Sequence, residues 1–257
     1  MLKPIEDLVN QLLHGLPARN TETLSLENSN KRVAAADIRA AIDQPSYDES
    51  LRDGFAIHRD FVLSPDGSAI FDIRGEIAAG DVQKCALAGQ QACRLMTGAE
   101  VPKNCLRVIP KEVTRIVDGR LMVPQKVLLD RRYYIKSKGH DITAGQSMVQ
   151  AGTVLAPALL ASLAAVAVDH LPVWKQPLCG FFTTGQELVG KAVNLSKGKK
   201  VSSNQYLLSG LLAMYGAHCC GLGIVGDDSL QLQNILVAAA EKDLDLLVST
   251  GGTGPGK

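Results

Sequence analysis

Apolar residues along the chain recur first with a helical period, then with a strand period, and then with a helical period again. Pro4, Ile5, Leu8, Val9 and Leu12 predict an opening helix with proline in its first turn, stopped by Gly15 and Pro17. Residues 32–42 are mixed, and residues 44–48 read as a turn into Arg52-Asp53-Gly54-Phe55-Ala56-Ile57. Short strands follow at residues 70–73, 92–96 and 105–109, with a hairpin flanking Asp118-Gly119. Residues 136–151 are glycine-rich and charged, whereas residues 156–168 are almost wholly apolar and predict a buried helix begun by Pro157. The change of period and its reversal mark residues 51–134 as an all-β insert between flanks that pack together.

The second half centres on Leu178-Cys-Gly-Phe-Phe-Thr-Thr-Gly-Gln-Glu-Leu-Val-Gly190, where an uncharged run breaks into a polar, glycine-containing turn. This pattern predicts a strand covered on both faces, with Thr183, Thr184, Gly185 and Glu187 at its carboxyl end, where open α/β sheets bind ligands. Ser202 or Ser203 is placed to cap a helix whose inner face is Leu208, Leu211, Leu212 and Tyr215. A second strand is expected over residues 219–225, and Asp228 with Gln231 forms a capping-box pattern before Leu232, Ile235, Leu236 and Ala239. A third strand, residues 244–249, runs into Thr250-Gly-Gly-Thr-Gly-Pro-Gly-Lys257. The strands and helices alternate as parallel βαβ units do.

Composition adds bounds. In 257 residues, 27 basic against 26 acidic side chains leave a formal charge of +1, so no global field draws the chain to nucleic acid or membrane. No run of about 18 apolar residues and no secretory leader pattern is present, and the expected compartment is the cytoplasm. Six cysteines without Cys-x-x-Cys spacing read as reduced core residues, and His14, His58, His170 and His218 read as helix-end or surface positions.

Five stretches in order resemble the molybdenum insertase family of molybdenum cofactor biosynthesis, the MoeA and gephyrin E-domain group. Residues 52–56 are similar to Met-Asp-Gly-Tyr-Ala, residues 75–80 to Gly-Glu-Ile-Ala-Ala-Gly, and residues 95–99 to Ile-Met-Thr-Gly-Ala. Lys138-Gly-His-Asp-Ile142 resembles Arg-Gly-Glu-Asp-Ile, and Thr184-Gly-Gln-Glu-Leu188 resembles Thr-Gly-Asp-Glu-Leu. The resemblance implies a multidomain α/β plus β fold: an elongated mixed first domain (residues 1–50 and 135–172), an inserted β domain (51–134), and the first half of a parallel, MogA-like pterin-binding domain (173–257). It also implies a homodimer that takes adenylylated molybdopterin, hydrolyses the adenylate with magnesium, and inserts molybdate into the dithiolene. Carried over by position, Asp53, Thr97, Asp141 and Glu187 are the catalytic candidates, Asp53 and Glu187 also the metal candidates. Thr184, Gly185, Ser203, Asn204, Gly251 and Gly252 are the candidates for cradling pterin and phosphate.

The residue types agree in kind, since carboxylates suit hard cations and glycine-rich turns after parallel strands present N–H groups to phosphate. Each candidate also has a plainer reading: Asp53-Gly54 and Thr97-Gly98 as ordinary turns, Asp141 as a solvated loop acid, and Lys191, Lys197, Lys199 and Lys200 as a wet loop rather than an anion site. The departures are specific. Gln186 and Ser202 stand where the family has aspartates, His140 where it has glutamate, and Arg52 where it has methionine. Residues 104–109 and 250–256 also depart from the family pattern, and the expectation is an amino-terminal piece of a divergent member. The alternative to an insertase is a module that binds the pterin nucleotide with little or no turnover. Residues 251–257 also fit the Gly-x-x-x-x-Gly-Lys phosphate loop, but no Ser or Thr follows Lys257 and Pro255 removes an N–H from the cradle.

Overall fold

The computed structural model describes residues 4–14, 20–81, 86–226 and 228–251. In chain order the elements are α1 (Ile5–His14), β1 (Thr21–Ser25), β2 (Ile38–Arg39), β3 (Glu49–Ser50), β4 (Gly54–His58), β5 (Ala69–Ile77), β6 (Gln91–Leu95), β7 (Cys105–Pro110), β8 (Arg115–Val117), β9 (Arg120–Val123) and α2 (Gln125–Leu128). They continue as β10 (Ile135–Lys136), β11 (Ser147–Val149), α3 (Pro157–Ala165), β12 (His170–Trp174), β13 (Leu178–Thr184), β14 (Leu188–Val189), β15 (Lys200–Val201), α4 (Ser203–Met214), β16 (His218–Val225), α5 (Ser229–Ala240) and β17 (Leu246–Thr250). The chain forms two compact units, one of Met1–Ala36, Ala151–Pro157 and His170–Lys257, the other of Asp37–Gln150 and Ala158–Asp169.

The second unit is built on a six-stranded sheet in the order β7-β4-β6-β5-β9-β8. Side chains alternate across a strand, so each face of this sheet gathers its own core. Phe55 and Ile57 of β4 join Phe71, Leu121 and Val123 in one cluster. Ala56, between them in sequence, joins Ile77, Leu95 and Val108 in another. Gly54 opens β4, where a Cβ would lie 2.1 Å from the Ile109 carbonyl oxygen. Only a residue without a side chain lets β7 pair this closely, so Asp53-Gly54 is the entry to a strand and not a free turn. The β8–β9 hairpin turns through Asp118 and Gly119, both at positive φ, as its sequence predicted. His58 corrects its surface reading: it is buried at the end of β4, where its Nδ1 accepts the Asp60 N–H at 3.0 Å.

In the first unit β13 lies between β16 and β17, parallel to both, while β1 pairs antiparallel with β12. The central strand is buried from Cys179 to Thr183, which accounts for its uncharged sequence. Asp228 caps α5 by accepting the Leu230 N–H at 3.0 Å, but Gln231 reaches the Gly226 N–H at 3.2 Å instead of closing the box on Asp228 itself.

Two helix readings are corrected. In α4 the half-buried side is Gln205, Leu208, Ser209 and Leu212, while Leu211 and Tyr215 are exposed, because the leucines stand on more than one side of the helix and their period does not single out one face. In α3 only Leu163 is buried, although residues 156–168 are almost wholly apolar. An apolar run tolerates burial without requiring it. Cys93 and Cys179 are buried, and burial pushes the Cys105 thiol up to about 12; Cys85 lies outside the described residues.

Candidate functional site

The carboxyl ends of β13, β16 and β17 come together in register, Thr184 beside Val225 and Thr183 beside Thr250. The chain turns at each end are tied across the sheet. Gly185 N–H donates to the Val225 carbonyl at 2.9 Å, and the Thr184 hydroxyl donates to the Thr250 carbonyl at 3.2 Å. Gly251 has φ +115°, and a Cβ there would sit 2.1 Å from the Thr184 hydroxyl oxygen. Glycine is thus required twice over, by backbone conformation and by close approach. The Glu187 carboxylate folds back over Gly185, since a Cβ on Gly185 would fall 2.8 Å from its Oε2.

Ser203 and Asn204 are exposed in the first turn of α4, whose leading N–H groups have no partners within the helix. A helix N-terminus beside glycine-rich strand ends suits a phosphate. The Ser202 hydroxyl does not cap this helix. It is buried, 3.2 Å from the equally buried Thr183 hydroxyl. Lys199 donates to the Gln186 carbonyl at 2.6 Å, and Lys191, Lys197 and Lys200 are exposed. Gly252 and the rest of the phosphate-loop pattern lie outside the described residues.

The remaining candidates belong to the other unit. Asp53 Oδ1 accepts the Thr97 N–H at 3.0 Å and the Thr97 hydroxyl at 2.8 Å, while Oδ2 pairs with Lys111 Nζ at 3.0 Å. The Thr97 N–H, the Lys111 ammonium and the Thr97 hydroxyl hold its carboxyl well below the usual range. Asp141 pairs with Lys136 and lies 3.2 Å from His140 Nδ1. These two partners lower its pKa, and the pairing raises that of Lys136.

The fit to magnesium differs between the two metal candidates. Among the described residues no three His, Cys, Asp or Glu side chains converge on a common point. Magnesium leans on one or two carboxylates plus substrate phosphate, so Glu187, at the phosphate-ready edge, fits that use. Asp53 does not, because Thr97 and Lys111 already engage both of its oxygens.

Lys111 was invisible in the sequence. The register that pairs Gly54 with Pro110 sets Lys111 opposite Asp53, and a lysine beyond a strand carries no signal of that pairing. The buried Thr183–Ser202 pair and the Thr250 hydroxyl, which is buried without a partner among the described residues, carry no sequence signal either.

A family model described as the MoeA N-terminal region (domain I and II) matches residues 3–167. The chain belongs to the MoeA family. A second model, a probable molybdopterin binding domain, matches residues 180–257. The chain is 30% identical to the molybdopterin molybdenumtransferase of Bacillus subtilis over 98% of its own length and 60% of the relative's. It is 30% identical to that of Nostoc sp., over 98% and 58%. It therefore spans about three fifths of the curated relatives it matches. Two crystal structures of molybdopterin biosynthesis MoeA proteins from Pyrococcus horikoshii superpose at TM-scores of 0.86 and 0.81, with 26% and 27% identity, covering 98% of this chain and 64% and 67% of those. The α/β plus β architecture is thus that of the first part of MoeA.

Proposed function

We propose that this MoeA-family chain serves molybdenum cofactor biosynthesis, holding adenylylated molybdopterin at the carboxyl edge of β13, β16 and β17 while AMP is released and molybdate enters the dithiolene. The observation that carries the reading is the tied edge itself, where Thr184, Gly185 and Gly251 interlock beside the open N-terminus of α4. Thr184, Gly185, Ser203, Asn204, Gly251 and Gly252 bind pterin and phosphate. Glu187 orients the water that attacks the phosphate, and it is the residue that would hold magnesium, which would supply positive charge to offset that on the departing AMP. Asp53, fixed by Thr97 and Lys111, acts as an ionised acceptor. Asp141 does so as well. We place the working protein in the cytoplasm as a homodimer, divided into residues 1–50 with 135–172, 51–134 and 173–257.

A second reading, a binding module with slow or no turnover, is favoured by two observations. Gln186 replaces an expected acid, and the Ser202 hydroxyl is turned to Thr183 inside the fold. Calorimetry with adenylylated molybdopterin, with and without magnesium, beside measurement of AMP release, separates the possibilities. Binding should survive metal removal, because its contacts are mostly backbone groups and hydroxyls, and AMP release should be slow. Gln186→Asp should raise magnesium-dependent AMP release more than affinity, since an ion on the leaving phosphate serves the transition state. No binding under either condition would overturn both readings.

A further inference from the structure

Arg107, on β7, is 8% exposed; among the described residues no carboxylate forms a direct ion pair with it, and the Asp130 carboxylate feels its charge at longer range. Its terminal nitrogens donate to the Leu128 and Asp130 backbone carbonyls at the end of α2, and its Nε is buried without a partner. Buried guanidinium groups are ordinarily matched by anions, and buried N–H groups by acceptors. The nearest candidate, the Asp130 carboxylate, is committed elsewhere: Arg132 Nε reaches it at 3.1 and 2.9 Å and Arg132 Nη2 at 2.5 Å.

Arg107 lines a cavity of about 220 Å³ with Lys126, Val108, Val127, Arg132 and Tyr134. Lys126 is exposed and has no acidic partner among the described residues. The lining therefore carries three cations and one acid, and that acid is already paired with Arg132. The rest of the wall is apolar or aromatic, and the Arg132 guanidinium sits 5.4 Å from the Tyr134 ring centroid. A cavity of about 150 Å³ is enough to hold a benzene ring.

We propose that this cavity binds a small carboxylate with a ring-sized apolar body, the carboxylate lying on Arg107 and Lys126 and the body against Val108, Val127 and Tyr134. The site adds a ligand function to the β unit. An inorganic anion would leave the apolar wall unused, and a neutral ring would leave the excess of cations in the lining unmatched.

The test is titration of the intact chain with benzoate, benzamide and inorganic phosphate, followed by amide chemical shifts and calorimetry. Benzoate should saturate and shift the amides of Val108, Val127 and Tyr134, with benzamide and phosphate each at least about tenfold weaker. Lys126→Ala, an exposed change that leaves the fold intact, should weaken benzoate severalfold without changing benzamide. Arg107→Met should abolish binding; because that residue also ties down α2, Lys126→Ala and the comparison of ligands are the deciding measurements. Equal binding of benzamide, equal binding of phosphate, or benzoate shifts confined to other residues would each overturn the proposal.

Discussion

At the scale of single residues, two positions make sharp predictions. Gly251→Ala would force a Cβ against Thr184 from a backbone with φ +115°, whereas Gly198, at φ +83°, has open space around it. The first change should cost about 1–3 kcal/mol and weaken pterin binding, and the second about 1 kcal/mol with binding intact. Urea denaturation beside calorimetry checks both, and equal losses would remove the special role of Gly251. Asp53 supplies the second prediction. Its folded pKa is depressed first by the Thr97 N–H, then by Lys111 and the Thr97 hydroxyl. A depressed carboxyl stabilises the fold above its ordinary pKa near about 4, and the contribution disappears as pH falls through the lower folded value. Carbon-detected titration should therefore find Asp53 ionised well below the ordinary aspartate range. Lys111→Met should raise the midpoint only part of the way, because the leading Thr97 N–H remains. A return to the ordinary value would mean that the lysine dominates.

At the scale of elements, the link between β13 and α4 is a buried hydroxyl pair, Thr183 with Ser202, 3.2 Å apart. Sequence placed Ser202 or Ser203 as a helix cap, yet Ser202 is the capping residue by position only, with its side chain spent on the strand. Removing one partner strands the other in a dry setting, at about 1–3 kcal/mol, while removing both is nearly neutral. Thr183→Val and Ser202→Ala should each destabilise by about 1–2 kcal/mol, and the double variant by less than the sum of the two. Strict additivity in denaturant unfolding would show that the pair contributes nothing as a pair. The strands themselves were legible because alternation and buried runs survive in sequence. The buried faces of α3 and α4 were not, because apolar side chains stand on more than one side of each helix and only their neighbours choose a face.

At the scale of the whole molecule, Asp53 with Thr97 and Glu187 with Thr184 belong to different compact units of the chain. We propose that in the homodimer Asp53 and Thr97 of one subunit would serve the Thr184–Glu187 turn of its partner. Mixing an Asp53→Ala protein with a Glu187→Ala protein should then recover part of the AMP release in heterodimers, since one of their two sites is left intact. No recovery, with heterodimers present, would place each site within a single subunit.

The sequence by itself determined the run of strands in the first half, the parallel βαβ half and the family, because periodicity and short glycine-bearing motifs are local properties. It also marked Asp53, Thr97, Asp141, Thr184, Gly185, Glu187 and Gly251. What it could not supply was who stands opposite whom. Lys111 against Asp53, Ser202 against Thr183, and Arg107 against the end of α2 are consequences of strand register and packing. Those are non-local, and a single strand slipping by one residue would exchange every such partner.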